Sequence, residues 1–176
     1  MNKYLVITVI GADRPGLVEL LARTLVAHNA NWLESRMANL AGRFAGMVEA
    51  DVPEANFELL TQALEKLQAE GLSVMVDSGL AEPDANGFRE VQLELIGQDR
   101  VGIVQEISTA LAEHSVSIEK LHTETESASM SGEILFRAWA DLRVPNDLDM
   151  ELLQQGLEVL ADELMVDIDL KSQSAG

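Results

Sequence analysis

The feature that most constrains this chain is that it matches itself when shifted by 86 residues. Ile10-Gly11-Ala12-Asp13-Arg14-Pro15-Gly16-Leu17-Val18 lies over Ile96-Gly97-Gln98-Asp99-Arg100-Val101-Gly102-Ile103-Val104. Leu25 then lies over Leu111, and His28 over His114. A period of this length is too long for a solenoid unit and suits a small domain. The fold therefore has to be one module built twice. The expected boundaries are 1–79 for the first module, 80–87 for a linker, 88–171 for the second module and 172–176 for a tail. The linker assignment rests on the Pro83, Asp84, Asn86 and Gly87 cluster.

Within the first copy, Tyr4 to Ile10 is a short apolar run rich in β-branched residues and predicts a buried strand. Gly11 to Arg14 reads as a turn. Asp13 is placed to cap a following helix, with Pro15 at its first position. Leu17, Leu20, Leu21, Leu25 and His28 recur at helical spacing. Asn31 to Leu40 predicts a strand, Ala41-Gly42 a hairpin turn and Arg43 to Val52 another strand. Phe57, Leu60, Leu64 and Leu67 mark a second helix ended by Gly71, and Leu72 to Val76 a last strand. The second copy repeats the order with strands at 90–96, 116–125, 133–142 and 165–170 and helices at 101–114 and 148–163. Its hairpin loop, 126–132, is longer and serine-rich. The order β-α-β-β-α-β predicts an α+β protein of two ferredoxin-like modules. Each should be a four-stranded antiparallel sheet with two helices on one face. The other face needs a cover from elsewhere.

The shared G-x-D-R-x-G segment is the candidate site. Gly11 and Gly97 let the chain turn sharply or approach a ligand. Gly16 and Gly102 fall in the expected first helical turn, where propensity disfavours glycine by roughly 1 kcal/mol. A helix N-terminus favours a carboxylate and a nearby aspartate favours an ammonium, which together describe an amino-acid pocket. The same residues also read as a capped helix start without a ligand, and both readings stand.

Other chemistry is poorly supported. His28, His114 and His122 lack metal-ligand spacing, and no P-loop, G-x-G-x-x-G or nucleophile elbow occurs. Trp32 and Trp139 are read as packing residues, and Asp167 and Asp169 as a solvated strand face. No metal, cofactor or catalytic residue is expected. With no cysteine there is no disulfide or thiolate chemistry. No apolar run reaches the roughly 18 residues of a membrane helix, and the start of the chain lacks signal-peptide features, so a cytoplasmic location is expected. Thirty acidic against twelve basic residues give a net charge of −18. Nucleic acid and anionic membranes would repel such a chain, so any control over genes has to pass through a protein.

The element order together with Asp13-Arg14-Pro15-Gly16-Leu17-Val18 resembles the ACT domain, a regulatory module that binds amino acids. The loop followed by Asn31-Trp32-Leu33-Glu34-Ser35-Arg36 resembles more specifically the tandem-ACT glycine cleavage repressors, which lack a DNA-binding domain. The resemblance implies a non-enzymatic regulator that senses a small amino acid, glycine first, works through a transcriptional activator protein and forms a homo-oligomer. It implies a ligand held in the first copy around Gly11, Asp13, Arg14, Gly16, Leu17 and Asn31. In the second copy the equivalent positions are Gly97, Asp99, Gly102, Ile103 and Ser117, with serine replacing asparagine and Val101 replacing proline. A ligand-independent dimerisation and interaction module is the alternative. A related unit precedes the catalytic part of some folate-dependent hydrolases, but a chain ending at Gly176 is expected to have no room for one.

Overall fold

The computed structural model describes residues 1–79, 87–127 and 132–172. Most of the expected linker, the tip of the second hairpin and nearly all of the expected tail lie outside the described residues. The chain divides into two compact units, Met1–Glu82 and Pro83–Gly176.

The first unit runs β1 (Asn2–Ala12), α1 (Leu17–Ala27), β2 (Asn31–Leu40), β3 (Arg43–Pro53), α2 (Phe57–Lys66) and β4 (Leu72–Ser78). Its sheet has the order β2-β3-β1-β4, antiparallel throughout. Alternation decides which face is buried. Leu5, Ile7 and Val9 of β1 point the same way as Val48, Ala50 and Val52 of β3, and none of them is exposed. Leu17, Leu20, Leu21 and Leu25 of α1 and Leu60 and Leu64 of α2 close over them. Each such leucine, fully buried, contributes about 1.5–3 kcal/mol. The Ala41-Gly42 hairpin has positive φ at both residues, 49° and 75°, which the right-handed twist of a two-residue hairpin demands.

The second unit repeats this with β5 (Phe88–Gln98), α3 (Ile103–Glu113), β6 (Ser117–Ser127), β7 (Ile134–Pro145), α4 (Met150–Leu164) and β8 (Val166–Ser172). Its sheet order is β6-β7-β5-β8. Val91, Leu93, Leu95, Leu142 and Val144 meet Ile103, Ile107, Leu111, Leu153 and Leu157 in the core. Asp149 caps α4 by accepting a hydrogen bond from the Glu151 backbone N–H at 2.9 Å. The edge strands β2 and β6 each carry a bulge, between Trp32 and Glu34 and between Ile118 and Lys120.

Two local expectations need correction. Gly11 is not in a turn: β1 continues to Ala12, pairing Gly11 with Phe44 and Leu72. Pro15 is not the first helical residue and Asp13 is not the cap, because α1 begins at Leu17 after Gly16 at φ 90° with no side-chain cap. The loop is thus longer than a capped helix start, and Gly16 supplies the left-handed residue that redirects the chain. Trp139 packs against His122, ring centroids 5.4 Å apart, on the face away from the helices and across from Glu94. Trp32, by contrast, packs against the first core.

Candidate functional site

The loop after β1 is held at both flanks. The Asp13 N–H donates to the Gly42 carbonyl at 2.9 Å, tying the loop to the hairpin tip. The Arg14 guanidinium donates to the Glu70 carbonyl at 2.6 Å, at the end of the turn following α2. Asp13, Arg14, Pro15 and Gly16 are exposed. The N–H groups opening α1 meet no capping side chain. The second copy keeps the first tie, from the Asp99 N–H to the Ile134 carbonyl at 2.8 Å. It changes the second: Arg100 pairs with Glu106 at 2.6 Å.

The four loop glycines have distinct causes. A Cβ on Gly11 would sit 2.6 Å from the Gly71 carbonyl oxygen, and one on Gly97 would sit 2.3 Å from a Val166 methyl. These two glycines admit the neighbouring strand. Gly16 and Gly102 have φ of 90° and 100°, and nothing lies within 4 Å of a Cβ on Gly16. They are needed for backbone conformation. Sequence reasoning could not separate these causes, because both depend on contacts and angles that spacing does not encode. Leu17 and Ile103 are each 2% exposed and belong to the cores.

The strand register decides which candidates can meet. Asn31 opens β2 opposite Asp51, which in turn faces Tyr4 near the start of β1. Asp13 follows the far end of β1, where Ala12 faces Arg43. From Tyr4 to Asp13 the chain advances nine residues, about 30 Å of strand at roughly 3.3 Å per residue. One module therefore brings Asp13, Arg14 and Gly16 together and leaves Asn31 at the opposite end of the sheet. The second copy repeats this separation, with Ser117 facing Arg143 and Asp99 following Gln98 beside Leu135.

His28 and His114 end α1 and α3, as expected of residues at the negative end of a helix dipole. The His28 Nδ1 lies 2.8 Å from the Thr24 carbonyl oxygen, and Asn56 donates to the His28 carbonyl at 2.9 Å. Among the described residues, no helix is long and apolar enough to cross a membrane.

An ACT domain family model matches residues 3–77. The glycine cleavage system transcriptional repressor of Escherichia coli (strain K12) is 24% identical over 162 residues, covering 92% of this chain and 85% of that protein. A crystal structure of an unknown protein from Galdieria sulphuraria superposes with a TM-score of 0.88 at 30% identity, over 99% of this chain and 100% of the other. A crystal structure provisionally assigned as a glycine cleavage system transcriptional repressor superposes with a TM-score of 0.70 at 20% identity, over 97% of each chain. The family model falls on the first module, and these relatives extend the likeness across the second. The first module is an ACT domain, and the second repeats its β-α-β-β-α-β sheet, so the chain is a tandem of ACT-type folds.

Proposed function

We propose that this chain is a non-enzymatic, cytoplasmic regulator of the glycine cleavage system that senses a small amino acid, glycine first, and acts through a protein partner, a transcriptional activator. The observation that carries this reading is similarity to the Escherichia coli repressor over both modules at once. The loops after β1 and β5 support it: each exposes an aspartate beside a helix start without a side-chain cap. The open N–H groups suit the carboxylate of an amino acid and the aspartate its ammonium. Because Asp13 and Asn31 stand at opposite ends of one sheet, a ligand of a few ångströms that touches both draws them from two molecules. The sensor is therefore a homo-oligomer whose assembly and ligand occupancy are coupled. A ligand that binds one arrangement better shifts the population toward it, and the partner reads the shift.

Isothermal titration with glycine and with serine at millimolar concentration is the direct test. Heat that saturates, and that Asp13→Ala abolishes, supports the sensor. No heat with either amino acid refutes it.

A second reading is a ligand-independent interaction module. It is favoured by the structural employment of the loop: Arg14 is engaged by Glu70, and the glycines answer to backbone geometry. Full regulatory output from a chain carrying both Asp13→Ala and Asp99→Ala selects this reading over the first.

A further inference from the structure

The duplication supplies an internal comparison between the two sheet faces that turn away from the helices. On the first sheet the cross-strand rows read Ser73–Ile10–Ala45–Ala38 and Met75–Thr8–Met47–Arg36. The equivalent rows on the second sheet read Asp167–Ile96–Arg137–Glu124 and Asp169–Glu94–Trp139–His122. Ile96 keeps the place of Ile10, while its near neighbours change: Ser73 to Asp167, Met75 to Asp169, Thr8 to Glu94, Ala45 to Arg137 and Met47 to Trp139. The changed residues enclose a hollow of about 180 Å³ lined by Glu94, Ile96, Arg137, Trp139, Asp167 and Asp169.

The charges of the hollow do not cancel. Arg137, on the rim of the hollow, is offset by Glu126, 2.8 Å from its Nε. Lys171 lies between Glu94 at 2.9 Å and Asp169 at 3.6 Å. Its ammonium is held above the ordinary lysine value, mainly by the hydrogen bond to Glu94, so it stays charged. That single cation serves two carboxylates. The Asp167 side chain has no hydrogen-bond or ion-pair partner among the described residues. The surplus is negative, the floor is the apolar Ile96, and one wall is an indole.

An anion is excluded by the carboxylates, and a hydrated metal ion gains nothing from Ile96 and Trp139. A planar cation uses every part: a guanidinium stacks on indole while donating a forked pair of hydrogen bonds to a carboxylate. The volume is below the roughly 300–1,000 Å³ of cofactor and drug-sized pockets and suits one side chain. Free arginine would bring its own carboxylate among three others, so the better occupant is arginine within a polypeptide. We propose that this hollow docks an arginine side chain presented by a basic segment of a protein partner. The net charge of −18 steers such a segment toward the chain. The proposal stands apart from amino-acid sensing, since its residues lie on the outer face of the second sheet and not in the loops after β1 and β5.

The test uses the full ¹⁵N-labelled chain and two uncharged-end probes, N-acetyl-arginine-N-methylamide and its neutral isostere N-acetyl-citrulline-N-methylamide. The arginine probe should shift the Trp139 indole N–H and the Ile96 amide with saturation, and the citrulline probe should not. The double change Asp167→Asn with Asp169→Asn should weaken binding roughly fivefold or more, the sum of two solvent-facing ion pairs. Added salt should weaken binding of the arginine probe. These two aspartates are exposed, so the fold is not at risk, and unchanged amide spectra elsewhere verify it. No saturable shift with the arginine probe, an equal response to citrulline, or an undiminished response in the double variant overturns the proposal. Tighter binding of free arginine than of the blocked form also overturns it, because the hollow would then select a metabolite over a side chain.

Discussion

Gly11 and Gly16 are five residues apart in one motif, yet alanine at each should fail for a different reason and by a different amount. At Gly16 a Cβ meets nothing within 4 Å, so the cost of Gly16→Ala is conformational alone. Holding alanine at φ 90° costs roughly 1–2 kcal/mol. At Gly11 the Cβ lands 2.6 Å from a backbone oxygen of Gly71, which cannot rotate aside. Forcing apart two paired strands belongs at the upper end of overpacking costs, about 3 kcal/mol. With a urea dependence of about 2 kcal/mol per molar, the middle of the usual range, the midpoint should fall by about 0.5–1 M for Gly16→Ala and by about 1.5 M for Gly11→Ala. The assay can address the first module by itself, because the chain has two tryptophans, one in each module. In a Trp139→Phe background, fluorescence reports only Trp32 and hence the first core. Gly16→Asn should cost less than Gly16→Ala, since asparagine visits the left-handed region more readily. An unchanged midpoint for Gly16→Ala, together with lost amino-acid binding, would refute the assignment of this glycine to backbone geometry.

The remaining predictions concern local ties. Removing the cap of α4 with Asp149→Ala should destabilise the second module by about 1 kcal/mol, read as a lowered urea midpoint of Trp139 fluorescence; no change would mean another group caps the helix. Arg14→Ala should cost the first module about 1 kcal/mol through the lost hydrogen bond to Glu70. Arg100→Ala should cost about 0–1 kcal/mol through its exposed pair with Glu106, and high salt should erase that effect, since both partners carry charge.

The order of elements was legible because it rests on local signals. Val48, Ala50 and Val52 alternate with polar neighbours, and Leu60, Leu64 and Leu67 fall on one helix face. The Ala41-Gly42 turn was legible from composition. The loop was harder. Asp13 beside Pro15 carries every local mark of a helix start, and the chain overrides it by running β1 two residues further and turning at Gly16. The pairing of Asp13 with Asn31 came from likeness of positions, and it met a fact that only register supplies: the two lie at opposite ends of one sheet. The hollow on the second sheet was invisible for the same reason. Asp167 and Asp169 read as a solvated face, which they are, but their proximity to Trp139 passes through Glu94 and Ile96 of β5, some seventy residues distant in sequence. Contacts of that span leave no periodic trace.

The two bulges stand at positions related by the same shift that relates the motifs, at 33 and at 119. A strand on the rim of a sheet offers free backbone groups to any passing chain, and a protein that is copied within itself doubles that exposure. A bulge twists the rim and spoils the ladder an incoming strand would need. Its presence in both halves follows the repeat that relates them. The duplicated protein inherits two rims already protected against unlimited strand-by-strand growth into fibres.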